Sequence, residues 1–123
     1  MKQAVLLVGH GSRKQEANDA LVRLCGLVKS KRPGATITHG FLQFAKPDLP
    51  GALAQLAADG VEEVTIVPVF LYEGVHIQED IPEVLTEVAE KYPDMRLILA
   101  PVLGIDERMA DIVWDRVDAA PHQ

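Results

Sequence analysis

The 123-residue sequence predicts an α/β protein, a single-domain open sheet of about four parallel strands with helices on both faces. Three observations lead there. Four short apolar runs, at 3–8, 35–42, 63–71 and 95–100, have the length and residue types of buried strands. Four stretches with apolar residues three and four apart alternate with them, as βαβ units require. No linker, low-complexity segment or strong internal repeat interrupts the alternation, so one domain spanning 1–123 is expected.

Each helix has its own signals. The first is expected over about 14–30, with Ala17, Leu21, Leu24, Cys25 and Val28 on one stripe and Pro33-Gly34 ending it. The second is expected from Asp48, with Pro50 in its first turn, Leu53, Leu56 and Ala57 inward, and Gly60 as its stop. Asp80-Ile81-Pro82 predicts the start of the third, whose apolar face is Ile81, Val84, Leu85, Val88 and Ala89 and whose end is Tyr92-Pro93. The fourth is expected from Asp106, presenting Met109, Ile112, Val113 and Val117. The tail at His122 is expected to fray.

Composition narrows the class. A net charge of −6, with no basic cluster larger than Lys29-Ser30-Lys31-Arg32, argues against a nucleic-acid partner. That cluster sits where a helix C-terminus favours cations. The lone Cys25 excludes an intrachain disulfide and a cysteine-rich metal site, and its place on the first helix's apolar stripe reads as core. No apolar run approaches the ~20 residues of a membrane span, and the N-terminus lacks a signal-peptide pattern, so a cytoplasmic protein without a membrane partner is expected.

Two loops leave the carboxyl ends of expected strands, where open α/β sheets place their ligands: 9–13 and 72–80. Each holds a histidine. His10 lies in Gly9-His10-Gly11-Ser12-Arg13, where flanking glycines allow close approach of a ligand. His76 lies in Glu73-Gly74-Val75-His76. Two imidazoles at one sheet edge suit an open metal site or proton transfer, whereas a structural zinc site takes four ligands. The structural alternatives are a strand-end His10 satisfied by backbone, Ser12 as cap of the first helix, Arg13 and Glu73 as solvated charges, and Asp80 as cap of the third helix with Glu79 beside it. His39, inside the second strand, and His122, in the tail, are left outside the site.

Leu7-Val8-Gly9-His10-Gly11-Ser12-Arg13, Asn18, Phe41-Leu42-Gln43-Phe44-Ala45-Lys46-Pro47, Val67-Pro68-Val69-Phe70-Leu71-Tyr72-Glu73-Gly74-Val75-His76 and Asp80-Ile81-Pro82 occur in this order along nearly the whole chain. In these motifs the chain resembles the small CbiX-type sirohydrochlorin chelatases of the class II chelatase superfamily. The resemblance implies a chelatase-like fold and a lyase that inserts a divalent metal, Co²⁺ first with Fe²⁺ or Ni²⁺ as alternatives, into sirohydrochlorin or a related tetrapyrrole in cobalamin or siroheme biosynthesis. It implies that the metal is a substrate, that no organic cofactor is used, and that two copies pair as a homodimer. It assigns His10 and His76 to the metal and to removal of the pyrrole protons, with Ser12, Arg13, Gln43 and Glu73 near the substrate. At Gln43 the family commonly has a glutamate; an amide carries no charge and is no useful base. Glu73 is the neighbouring carboxylate that could replace it. Arg13 and Lys46 could offset the acidic net charge toward a polycarboxylate.

Two other readings stand beside this one. A non-catalytic metal or tetrapyrrole binding protein on the same fold draws its support from Gln43. A phosphoryl-transfer enzyme with His10 as nucleophile would want an arginine where Val8-Gly9 stands. The 9–13 loop also lacks the third glycine of a dinucleotide fingerprint and the lysine of a P-loop.

Overall fold

β-Branched and leucine-rich runs with apolar side chains on both faces favour strands buried on both sides, and the two longest such runs become the sheet's centre. A computed structural model of the chain describes residues 1–121, and of His76 the backbone alone; His122 lies outside the described residues. The elements run β1 (Gln3–Gly9), α1 (Gln15–Lys31), β2 (Ile37–Phe41), α2 (Leu49–Ala58), β3 (Glu63–Pro68), α3 (Val75–Lys91), β4 (Arg96–Leu99) and α4 (Glu107–Ala119). All strand pairs are parallel, in the order β2-β1-β3-β4. The chain therefore leaves β1 toward one side and, after β2, returns to the other. A topological switch point lies between β1 and β3.

Two cores flank the sheet. Leu6, Val8, Val64 and Ile66 face α2 and α3, where they meet Leu53, Leu56, Ile77 and Ile81. Leu7 and Phe41 face α1 and meet Leu21 and Cys25. Each fully buried Leu or Ile of this kind contributes roughly 1.5–3 kcal/mol. Burial also pushes the Cys25 thiol above its ordinary range, so it stays protonated; its sulfur lies 3.7 Å from the Thr38 carbonyl.

Several expectations change. α3 begins at Val75, with Gly74 in the cap position, so Asp80 does not cap it and His76 sits in its first turn rather than in a loop. The reason is that the apolar stripe extends backwards: Ile77 is buried one turn before Ile81. Pro82 lies within this helix and not at its start. Ser12 does not cap α1; Lys14 holds the cap position without a side-chain bond, and the Ser12 Oγ accepts from the Lys14 N–H at 3.0 Å. Of the α1 stripe, Ala17 is exposed. β2 and β3 are shorter than their apolar runs, although Val69 still donates to the Val8 carbonyl at 2.9 Å. The expected apolar face of α4 exists, but the helix buries no residue: Ile112, Val113, Trp114 and Val117 are exposed. α2 and α4 start where expected, and Asp48 and Asp106 cap them.

Candidate functional site

The first loop is dictated by close packing. Gly9 accepts from the Leu42 N–H, and His10 from the Gln43 N–H, both at 3.0 Å, so β1 and β2 stay zipped past their ends. A Cβ on Gly9 would stand 2.9 Å from a Leu21 methyl. Gly11 has φ +87°, and a Cβ there would fall 1.7 Å from the Gln43 carbonyl oxygen. Only glycine fits Gly11. Between them His10 is exposed, its ring edge-on to Phe70 at 4.7 Å and 77°. Phe70 follows β3 and packs against the α2–α3 core. The His10 ring thus stands at the β1/β3 switch point.

Asn18 explains the shape of the next residues. It is 5% exposed, and its amide accepts from the Ser12 N–H and donates to the Ser12 carbonyl, each at 2.8 Å. Both backbone groups of Ser12 are thereby satisfied from α1. The Arg13 guanidinium lies over the Phe44 ring, 4.6 Å from its centroid. Gln43 is exposed and bound through its backbone to His10.

The second loop brings Glu73 and the backbone of His76 to the start of α3. Glu73 is exposed, and its carboxylate accepts from the Gln78 amide at 3.4 Å. The structure places Ser12, Arg13 and Gln43 along one cavity, joins His10 to Gln43 through the backbone while its ring turns to Phe70, and keeps Glu73 and the backbone of His76 on the second loop. Among the described residues no three His, Cys, Asp or Glu side chains gather as a metal cage. An exposed imidazole can offer one ring nitrogen to a metal or accept a proton there, but not both at once.

Of three further residues here, the sequence reading left out His39, carried Phe44 only within the motif of the resemblance, and offered Lys46 as a cation toward a polycarboxylate. His39, Phe44 and Lys46 line a cavity of about 450 Å³ together with Ser12, Arg13 and Gln43. The strand period was the available signal for His39, since it shares a face with Phe41, whose ring it meets at 5.5 Å. Near the cavity the Gly51 N–H, and then Lys46, hold the Asp48 carboxyl below its ordinary range.

The CbiX family model matches residues 4–120. A sirohydrochlorin cobaltochelatase of Methanosarcina acetivorans is 35% identical, over 97% of each chain. A sirohydrochlorin ferrochelatase of Bacillus subtilis is 31% identical over 95% of this chain but 45% of its own length. Among solved structures, the sirohydrochlorin chelatase SirB from Bacillus subtilis subspecies spizizenii, in complex with cobalt, superposes with TM-score 0.88 at 29% identity. That match covers 97% of this chain and 51% of SirB, so the chain spans about half the length of that relative. The family model, running from β1 through α4, and the cobaltochelatase matched over 97% of each chain agree: the chain belongs to the CbiX family.

Proposed function

We propose that this protein, as one CbiX-like domain over 1–123, inserts a divalent metal ion into sirohydrochlorin, Co²⁺ first, with Fe²⁺ or Ni²⁺ as alternatives. The observation that carries the reading is His10: an imidazole open to solvent, braced by Phe70, on a loop packed so closely at Gly9 and Gly11 that a side chain there would clash, at the switch point of a parallel sheet. The names of the full-length relatives supply the substrate.

The chemistry needs two functions. The metal must shed water and be presented to the ring, and two pyrrole protons must leave. His10 and His76 divide this work, one nitrogen holding the ion while the other imidazole accepts a proton. Gln43 contributes no charge. Glu73, beside His76 in sequence, is the carboxylate offered for the second proton. Ser12 and Arg13 belong to the substrate side of the site.

The working unit is a homodimer. α4 is a two-faced helix without a buried residue, and helices of this length draw their stability from packing. Its partner is a second copy, which also covers the apolar groove between α1 and the end of β3, lined by Ala17, Ala20, Leu24 and Val69. The compartment is the cytoplasm, in keeping with a buried free thiol.

The test is the absorbance change of metal-free sirohydrochlorin with each of the three ions. The wild type accelerates insertion over the protein-free rate, and His10→Ala loses at least about 100-fold of that acceleration, the scale of one acid–base group. Glu73→Gln slows insertion if the carboxylate serves as assigned. Binding spectra without acceleration would favour the carrier reading, for which the uncharged Gln43 is the specific support.

A further inference from the structure

Beside the His10 loop lies the 450 Å³ cavity, walled by the start of α1, the end of β2 and the 42–48 loop. Most of its polar lining is already engaged. Asn18 spends its amide on Ser12, and Gln15 donates to Asp19 at 2.8 Å. Lys46 pairs with Asp48 at 3.1 Å, which neutralises the one carboxylate on the wall. Two donors remain. Arg13 sets its guanidinium carbon over the Phe44 ring and, among the described residues, has no ion pair or hydrogen bond. His39 makes an edge-type ring contact with Phe41 and, among the described residues, likewise has no hydrogen bond. Phe44 is exposed and holds φ 62°, a left-handed conformation uncommon for a bulky residue and of a kind concentrated at ligand clamps.

We infer that Arg13 and His39 grip one carboxylate arm of the tetrapyrrole in this cavity, with Phe44 holding the guanidinium in place. The inference rests on the proposed function and names a specificity determinant for it. A guanidinium fork matches a carboxylate's two oxygens, and an imidazole N–H on the same cavity lining supplies a further donor. The position fits the same substrate. Gln43 lines the cavity through its side chain while its N–H bonds the His10 carbonyl at 3.0 Å, so the cavity adjoins the histidine loop directly. His10 turns to Phe70 on the α2–α3 side, whereas His39 and Phe41 lie on the α1 side. In this placement the macrocycle's centre is at His10 and one of its arms lies across the sheet edge in the cavity. A chain of net charge −6 needs such local donors to accept a polycarboxylate.

Two measurements test this. In insertion kinetics with sirohydrochlorin, Arg13→Ala and His39→Leu raise KM about ten-fold while kcat changes less than about two-fold. His39→Gln, which keeps an N–H donor, restores KM to within about three-fold of wild type. In a separate fluorescence titration without metal, uroporphyrin, which carries eight carboxylates, binds both variants about ten-fold more weakly than wild type. Unchanged KM and unchanged uroporphyrin affinity in Arg13→Ala and His39→Leu would overturn the inference. So would a His39→Gln protein as weak as His39→Leu, which would make the role of His39 one of shape. A wild type that binds uroporphyrin through Arg13 and His39 but inserts no metal would retain the cavity as a carboxylate site and sink the chelatase reading alone.

Discussion

Gly11 shows how a single residue can decide whether the site exists. Its left-handed backbone and the 1.7 Å gap to the Gln43 oxygen leave no room for a methyl group. Gly11→Ala must therefore move either the His10 loop or the 42–48 loop. The expected cost is about 2 kcal/mol or more, from left-handed strain and overpacking together. Denaturant unfolding measures it, and metal insertion falls along with it because the His10 ring loses its place. A variant with wild-type stability would show that the two loops are not locked together. At this scale much was legible in the sequence. Glycines around a histidine at a strand end signalled a tight loop, whereas Asn18 entered only through the resemblance, and its two bonds to Ser12 came from the structure. His39 was not legible, because alternation assigns a face to a strand residue but not the loop that will fold over that face.

Among the elements, α2 behaves as its signals said. Asp48 caps it by accepting from the Gly51 N–H at 2.8 Å. That bond, and after it Lys46, lowers the Asp48 pKa in the folded state. A lowered carboxylate pKa contributes stability above the unfolded value of about 3.9, and that stability is lost as pH falls through the folded value. Asp48→Ala should therefore cost about 1 kcal/mol at pH 7, the usual worth of such a cap, and the difference from wild type should shrink below about pH 4. Unfolding curves at pH 7 and at steps down to about pH 2 measure both; a difference that shrinks nowhere below about pH 4 would mean the charge is not what matters. α3 teaches the opposite lesson. Asp80-Ile81-Pro82 has the look of a helix start, yet the helix begins at Val75, because burial of Ile77 extends the apolar face by a full turn and outweighs a proline in the interior. That shift moves His76 from a loop to a helix's first turn.

For the molecule as a whole, strand alternation was readable, but the order β2-β1-β3-β4 was not, since it depends on which distant runs pair. The order is what puts the His10 loop and the Phe70 loop side by side. The largest feature that one copy leaves unsatisfied is α4. Trp114, the chain's only tryptophan, is 65% exposed on it. If a second copy covers this helix, tryptophan emission is blue-shifted at high concentration and moves to the red on dilution, in step with the change in sedimentation. Trp114→Asp should give a monomer that keeps its secondary structure, because no buried residue of the fold comes from α4. Concentration-independent emission and a monomeric wild type would contradict the pairing.

The most direct measurement of the central claim is a turnover count. Sirohydrochlorin and Co²⁺ are supplied in large excess over protein, and metallated product is followed by absorbance against a protein-free control. A chelatase forms many products per chain, and His10→Ala reduces the rate to near the control. Product formation that exceeds the control by no more than one equivalent per chain would contradict the account and leave a binding protein on a chelatase fold.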